Sequence, residues 1–342
     1  MEFFKNNNRV LEVIESCKNN NRLNLSSSFK YLIDILWPSA NDFTKNKQVL
    51  NNDSNKYFCP YNIKDKIENM NALLNSRNIN TSKDLFIFII LTLHEELNKN
   101  MNLISLVLEP NKKIDEKNEI IMRNNFIKNF KRENLSLISD IFYAMKEIIF
   151  YCNSCKTYRY NFKKYFYLDF HLNSILKFKE QNQSSFKNFS LSNNDNVITI
   201  YDCFNYETKI TKTKIYCDVC QNPSSSSYKI ILSFAPEILV IFINRLEGFN
   251  PEIKFQFYEE LYLGMHIQIK EVGFCYKLIG VVATHDNSIM EKHFFAFCKN
   301  PIDSKWYKYD DDKVSNIVNV NQEILNNNIP YILFYQNTKS NA

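Results

Sequence analysis

Two Cys-x-x-Cys pairs constrain this chain more than any other feature. They are Cys152-Asn153-Ser154-Cys155 and Cys217-Asp218-Val219-Cys220. A two-residue spacing lets both sulfurs of a pair face one ion, and four thiolates suit tetrahedral zinc. The pairs are far apart in sequence, so a site built from both must be assembled from distant segments. Four unrelated thiols are the plain alternative, and two pairs at this spacing among nine Cys argue against it. A redox motif of the thioredoxin kind needs only one pair in a βαβ setting, and no such setting is visible. An odd number of Cys spread over 342 residues reads for metal before disulfide, in a reducing compartment.

Composition narrows the class. Hydrophobic residues make up 45%, charged residues 23% and aromatics 15%, which excludes a disordered chain. Only 4 Gly and 8 Pro exclude collagen-like and linker-like architectures. A net charge of +5 is too dilute to imply a nucleic-acid partner. The longest apolar run, Leu85–Leu91, is far short of the about 20 residues a membrane span needs, so no membrane partner is expected. Met1-Glu2-Phe3-Phe4-Lys5 shows no basic segment followed by an apolar one, so no secretory leader is expected. The expected location is cytoplasmic or nuclear.

The first third reads as helical. Val10, Leu11, Val13 and Ile14 suggest a short amphipathic helix, and Phe29 to Trp37 another. Asp84 to Asn98 is apolar almost all round and predicts a buried helix whose N-terminus suits Ser82 and Asp84. Asn19–Ser28 and Asn41–Asn55 are polar and read as surface loops, and Gln181–Asn196 as a flexible insertion. From about residue 150, aromatic and β-branched runs alternate with turns: Tyr228–Ile243, Tyr276–Thr284, His293–Lys299, Trp306–Tyr309 and Tyr331–Tyr335. Helices first and strands later give an α+β fold. His94 reads as a core residue and Cys298, in a strand run, as a buried thiol.

His293 opens one strand run and Asp310 ends the next. A hairpin would set them side by side, where an Asp can hold an imidazole in one tautomer and orient it as a general base. From spacing alone, a surface His beside an acidic turn is the better reading. The run Asp310–Asp312 could also suggest a metal site, but its place after Trp306-Tyr307-Lys308-Tyr309 favours the turn of a catalytic dyad.

Several motifs in order resemble the ubiquitin-specific proteases, papain-like cysteine hydrolases with thumb, palm and fingers. Asp84 to Ile90 with Leu93-His94-Glu95-Glu96-Leu97 resembles the thumb helix, and the two Cys pairs the zinc ribbon of the fingers. Asp202-Cys203-Phe204, Pro236 to Arg245, Tyr276 to Val282 leading to His285 and His293, Trp306 to Val314, and Tyr331 to Tyr335 follow the family's later motifs. The resemblance implies one domain over 1–342. The thumb would take about 1–130, the palm and fingers about 131–342, and the finger knuckles would lie near 150–160 and 212–228. It implies a structural zinc on Cys152, Cys155, Cys217 and Cys220. It implies His293 as general base, Asp310 as its orienting acid, and Asp84 and His285 near the ubiquitin tail. The partner would be ubiquitin or a ubiquitinated protein, and the reaction hydrolysis of isopeptide bonds after ubiquitin's C-terminal Gly.

The nucleophile departs from the family. Asn8-Arg9-Val10-Leu11-Glu12 resembles the end of the Cys box, and in that register the Cys falls on Lys5. A second register sets Cys17 on the nucleophile, but it asks the polar run Cys17 to Arg22 to open a buried helix. The family's His box carries glycines where this chain has Glu291-Lys292. An inactive ubiquitin- or partner-binding fold, a product lacking the Cys-box exon, and Cys17 as an irregular nucleophile all remain open. So does a zinc-stabilised scaffold without ubiquitin contact.

Overall fold

The computed structural model describes residues 25–36, 60–71, 82–99, 119–183, 197–245, 253–267, 274–284, 293–326 and 329–338. The expected helix around Val10–Ile14 and the polar run Asn41–Asn55 lie outside them. The chain forms two compact units, Met1–Leu106 with Glu133–Ser139, and Val107–Arg132 with Asp140–Ala342.

Among its described residues the first unit holds α1 (Leu25–Leu36), α2 (Tyr61–Met70) and α3 (Ser82–Leu97). In α3 the residues Ile90, Leu93, His94 and Leu97 are buried, a spacing that lines one helical face. The expectation of burial all round is corrected here. Leu85 and Leu91 point away from that stripe and are 39% and 38% exposed. His94 is a core residue, as expected, with Nδ1 2.7 Å from the Ser136 hydroxyl.

The expected loop Asn19–Ser28 also needs correction, because α1 already begins at Leu25. Its first turn is held by Glu96 of α3. That carboxylate accepts from the backbone N–H of Leu25 at 3.0 Å and of Ser26 at 2.7 Å, and from the Ser26 hydroxyl at 2.5 Å. A carboxylate at a helix N-terminus satisfies orphan donors and complements the helix dipole. The partner lies 70 residues downstream, so the polar sequence around Ser26 reads locally as loop.

The second unit takes in most of α4 (Glu119–Glu133) and, from Asp140, the end of α5 (Leu137–Phe142), which leads into the first strand. A four-stranded antiparallel sheet has the order β2-β1-β6-β5, built from β1 (Ala144–Cys152), β2 (Tyr158–Tyr165), β5 (Thr211–Cys217) and β6 (Asn222–Phe234). Arg123 of α4 reaches into it, 2.9 Å from Glu147, and pairs also with Glu119. Glu147 is fully buried and takes a second bond from Ser233 at 3.0 Å. Burial pushes its carboxyl up in spite of the Arg123 guanidinium.

The larger sheet has eight strands, in the order β13-β12-β11-β10-β14-β7-β3 with β9 added on β10. Its members are β3 (Leu168–His171), β7 (Ile238–Asn244), β9 (Glu260–Tyr262), β10 (Cys275–Thr284), β11 (Phe294–Lys299), β12 (Trp306–Asp310), β13 (Lys313–Ile317) and β14 (Ile329–Asn337). The run Tyr228–Ile243 is two strands, parted at Ala235-Pro236-Glu237. Strand β7 is buried at every position from Ile238 to Ile243, which explains its unbroken apolar sequence. Two helices not anticipated from the strand-rich sequence, α6 (Leu172–Gln183) and α7 (Ile200–Glu207), pack Ile175, Leu176, Ile200 and Phe204 into the core. Helix α6 runs into the start of the expected insertion, whose residues 184–196 are not described. Thr199, the last residue of β4 (Val197–Thr199), which pairs in parallel with β8 (Lys254–Gln256), closes a reciprocal cap with Asp202 at the start of α7, and Lys179 pairs with Asp202 at 2.9 Å.

Removing the carboxylate in Glu96→Ala is expected to cost about 1–2 kcal/mol locally. The loss should appear in hydrogen exchange as reduced protection of the α1 amides, with protection in β7 and β14 unchanged.

Candidate functional site

The Cys pairs sit at the tips of two neighbouring hairpins. Strand β1 ends on Cys152 and β2 starts at Tyr158, while β5 ends on Cys217 and β6 starts at Asn222. Each tip closes in the same way. Lys156 N–H donates to the Cys152 carbonyl at 2.9 Å, and Gln221 N–H to the Cys217 carbonyl at 2.7 Å. Lys156 and Gln221 both have left-handed backbones, with φ of 63° and 55°. Pairing of β1 with β6, Cys152 opposite Ser226, sets the two tips side by side.

The four sulfurs converge. Cys152 and Cys220 are 3.8 Å apart, Cys155 and Cys217 3.5 Å, and all four lie within 4.8 Å of one another. A tetrahedral ion with bonds of about 2.3 Å needs sulfurs about 3.8 Å apart, so the set fits a metal. The electrostatics lean the same way on one side. The Cys155 N–H lowers the Cys152 thiol to about 6, and the Thr157 hydroxyl holds Cys155 down. The Ser224 hydroxyl favours the Cys220 thiolate, but the Cys155 sulfur, burial and the other two sulfurs outweigh it and push that thiol up to about 12. Four thiols without an ion compete for charge, and a divalent cation removes the competition.

The second constellation lies on the β11–β12 hairpin. Antiparallel pairing of Ala296 with Tyr309 brings the residue before β11 next to the last residue of β12. His293 Nε2 and Asp310 Oδ1 are 2.5 Å apart. The other oxygen, Oδ2, takes Lys308 Nζ at 2.7 Å. Asp311 occupies the β12–β13 turn with φ 52°, a conformation Asp tolerates, and its carboxylate lies close to the same imidazole. The Asp310 bond, and then the charge of Asp311, raise the His293 pKa, against burial and Lys308. Bonds from His293 and Lys308 hold Asp310 down to about 2. When Nε2–H donates to Asp310, the neutral ring leaves Nδ1 as a proton acceptor.

The structure thus joins His293 to Asp310, and Cys152, Cys155, Cys217 and Cys220 to one another. Asp84 lies in the first turn of α3, in the first unit. His285, Cys17, Lys5 and Lys292 lie outside the described residues. Cys298, expected to be buried, is exposed. Phe295 and Phe297 turn into the core and leave Cys298 on the other face. Lys308 was not anticipated in the site, yet it stands two residues before Asp310 on the same strand face, a relation the sequence does carry.

A family model for ubiquitin carboxyl-terminal hydrolase matches residues 2–335. The chain belongs to the ubiquitin carboxyl-terminal hydrolase family. Within it, the chain has the fold of the ubiquitin-specific proteases. It is similar to ubiquitin carboxyl-terminal hydrolase 21 of Homo sapiens, 28% identical over 149 residues, which are 41% of this chain and 25% of that protein. It is similar also to putative ubiquitin carboxyl-terminal hydrolase 11 of Arabidopsis thaliana, 26% identical over 135 residues, 37% of this chain and 15% of that protein. These matches take in a quarter or less of each relative. Among solved structures, the SAGA Ubp8/Sgf11/Sus1/Sgf73 DUB module bound to ubiquitin aldehyde shares the fold, with a TM-score of 0.64 and 18% identity. That match covers 98% of this chain and 64% of the other. Among the described residues no helix is long and apolar enough to cross a membrane.

Native mass spectrometry should find one divalent ion per chain, and Cys152→Ser or Cys217→Ser should abolish it. The His293–Asp310 pair should matter to stability only in a window of pH. The raised His293 pKa gives a contribution that is full below 6.5 and lost as pH climbs through the folded value. The lowered Asp310 pKa gives one that is full above 3.8 and lost as pH falls towards about 2. The difference in urea midpoint between the unmodified chain and His293→Ala should therefore peak between those pH values and fade on both sides.

Proposed function

We propose that this chain acts as a thiol-dependent deubiquitinase on isopeptide bonds after ubiquitin's C-terminal Gly, in a reducing compartment of cytoplasm or nucleus. The observation that carries the reading is the His293–Asp310 contact at 2.5 Å through Nε2, which leaves Nδ1 for the nucleophile's proton. Relatives named as ubiquitin carboxyl-terminal hydrolases, and a fold shared with a module bound to ubiquitin aldehyde, support ubiquitin as the partner.

In this mechanism a thiol attacks the carbonyl carbon of the terminal Gly, and His293 Nδ1 accepts the thiol proton. The tetrahedral adduct collapses as His293 returns that proton to the departing lysine amine, leaving an acyl-thiol. Water then attacks the acyl carbon, His293 takes its proton and gives it back to the sulfur, and the ubiquitin carboxylate leaves. Cys17 is the candidate thiol. Cys152, Cys155, Cys217 and Cys220 would hold zinc, whose chemistry here is structural: it locks the two hairpin tips together. Asp84 and His285 are proposed to lie near the ubiquitin tail.

A second reading rests on Lys5 at the family's nucleophile position: the fold binds ubiquitin without cleaving it. Ubiquitin with an electrophilic C-terminus separates the two, with intact mass as the readout. The first reading expects an adduct that Cys17→Ala abolishes and that His293→Ala slows by about 10²–10⁴. Tight ubiquitin binding with no adduct would support the second reading, and neither adduct nor binding would overturn both.

A further inference from the structure

Lys308 connects the His293–Asp310 dyad to the hydrophobic core. It lies in the middle of β12, paired with Phe297 on one side and Ser315 on the other, so its backbone is fixed by both neighbouring strands. His293, Phe295 and Phe297 alternate onto one face of β11, and Trp306, Lys308 and Asp310 onto the same face of β12. The Lys308 side chain is only 21% exposed. Its Nζ lies 4.1 Å from the centre of the Phe295 ring and 2.7 Å from Asp310 Oδ2.

Phe295 is itself fixed. It is only 3% exposed and meets Phe297 edge-on, with ring centres 5.4 Å apart. An ammonium over an aromatic face is attracted by the ring quadrupole, and more so when part of its water is removed. The cation is thus placed by the core and not by the carboxylate alone. Asp310 is gripped at both oxygens, by Nε2 of His293 on one and Nζ of Lys308 on the other. Rotating the carboxylate would break both bonds.

The charges near the imidazole are unequal. Asp310 and Asp311 favour a protonated ring, and Lys308 opposes them. A general base must be neutral to accept a proton, and two carboxylates with no cation would favour its charged form.

We propose that Lys308 is a positioning residue of the dyad: held over Phe295, it fixes the Asp310 carboxylate and offsets the two acidic charges that face His293. This rests on the reading of His293 as a general base, but its test does not need turnover. The chain has 5 His, few enough to assign and follow by NMR.

The experiment titrates the His293 imidazole by NMR in the full chain and in Lys308→Met and Lys308→Arg. Losing the cation should raise the ring's proton affinity about three- to tenfold, and Arg should restore most of the difference. Asp310→Asn as a second background should shrink the effect of Lys308→Met. Folding is checked on the β10–β12 amides in the same spectra, and Lys308→Gln serves if the Met variant fails that check. A folded charge-removing variant whose His293 titrates with unchanged or lower proton affinity would overturn the proposal. A chain that hydrolyses no ubiquitin substrate yet shows the shift would refute the hydrolase reading and leave the Lys308–Asp310–His293 linkage standing.

Discussion

The burial of β7 on both faces is the constraint on which the larger sheet depends. Six consecutive residues, Ile238 to Ile243, lie out of water. Full burial of a large apolar side chain contributes about 1.5–3 kcal/mol. This strand pairs with β14, β14 with β10, β10 with β11, and β11 with β12, each antiparallel. A slip of one residue in any pair of that series would turn core residues outward, and a slip between β11 and β12 would carry His293 and Asp310 to different faces. The dyad's geometry is therefore set by the β11–β12 register, which burial of Phe295, Phe297 and Trp306 holds in place within the sheet. Its own hydrogen bond, half in solvent, contributes little to holding the sheet together.

The cysteine-bearing hairpin tips follow a different logic. The four-stranded sheet has a thinner core, and its hairpin ends carry buried serines such as Ser224 and Ser226 instead of large apolar groups. Two non-glycine residues there sit in left-handed conformations. That arrangement suits a region in which four thiolates around one ion supply the cohesion that packing does not. The opposite end of the same sheet is held by Arg123, Glu147 and Ser233, a buried ionic contact to α4.

Much of this was legible in the sequence because it depends on short-range periodicity. The Cys spacing survives as hairpin tips, and the positions of His293 and Asp310 at opposite ends of paired strands follow from strand length alone. The family resemblance is carried by such local motifs. What escaped was non-local. The start of α1 is fixed by Glu96, so the polar run before Ser28 looked like a loop. The stripe on α3 was hidden by apolar residues that face outward, Leu85 and Leu91 among them. Helices α6 and α7 were obscured by the strand-like residues around them. Cys298 shows the limit of composition: its strand is buried on one face only, and the thiol is on the other. Lys308 was visible at period two from Asp310, but nothing in sequence shows that its ammonium lies over the Phe295 ring.

The central claim is that the imidazole of His293 is arranged to accept a proton at Nδ1. The tautomer of the neutral ring tests this most directly. Nitrogen-15 shifts of labelled histidine, recorded above the ring's titration, distinguish the two forms. The geometry predicts Nε2 protonated and hydrogen-bonded to Asp310, with Nδ1 bare. A neutral ring that carries its proton on Nδ1 would contradict the account, because the nitrogen assigned to the nucleophile would already be occupied.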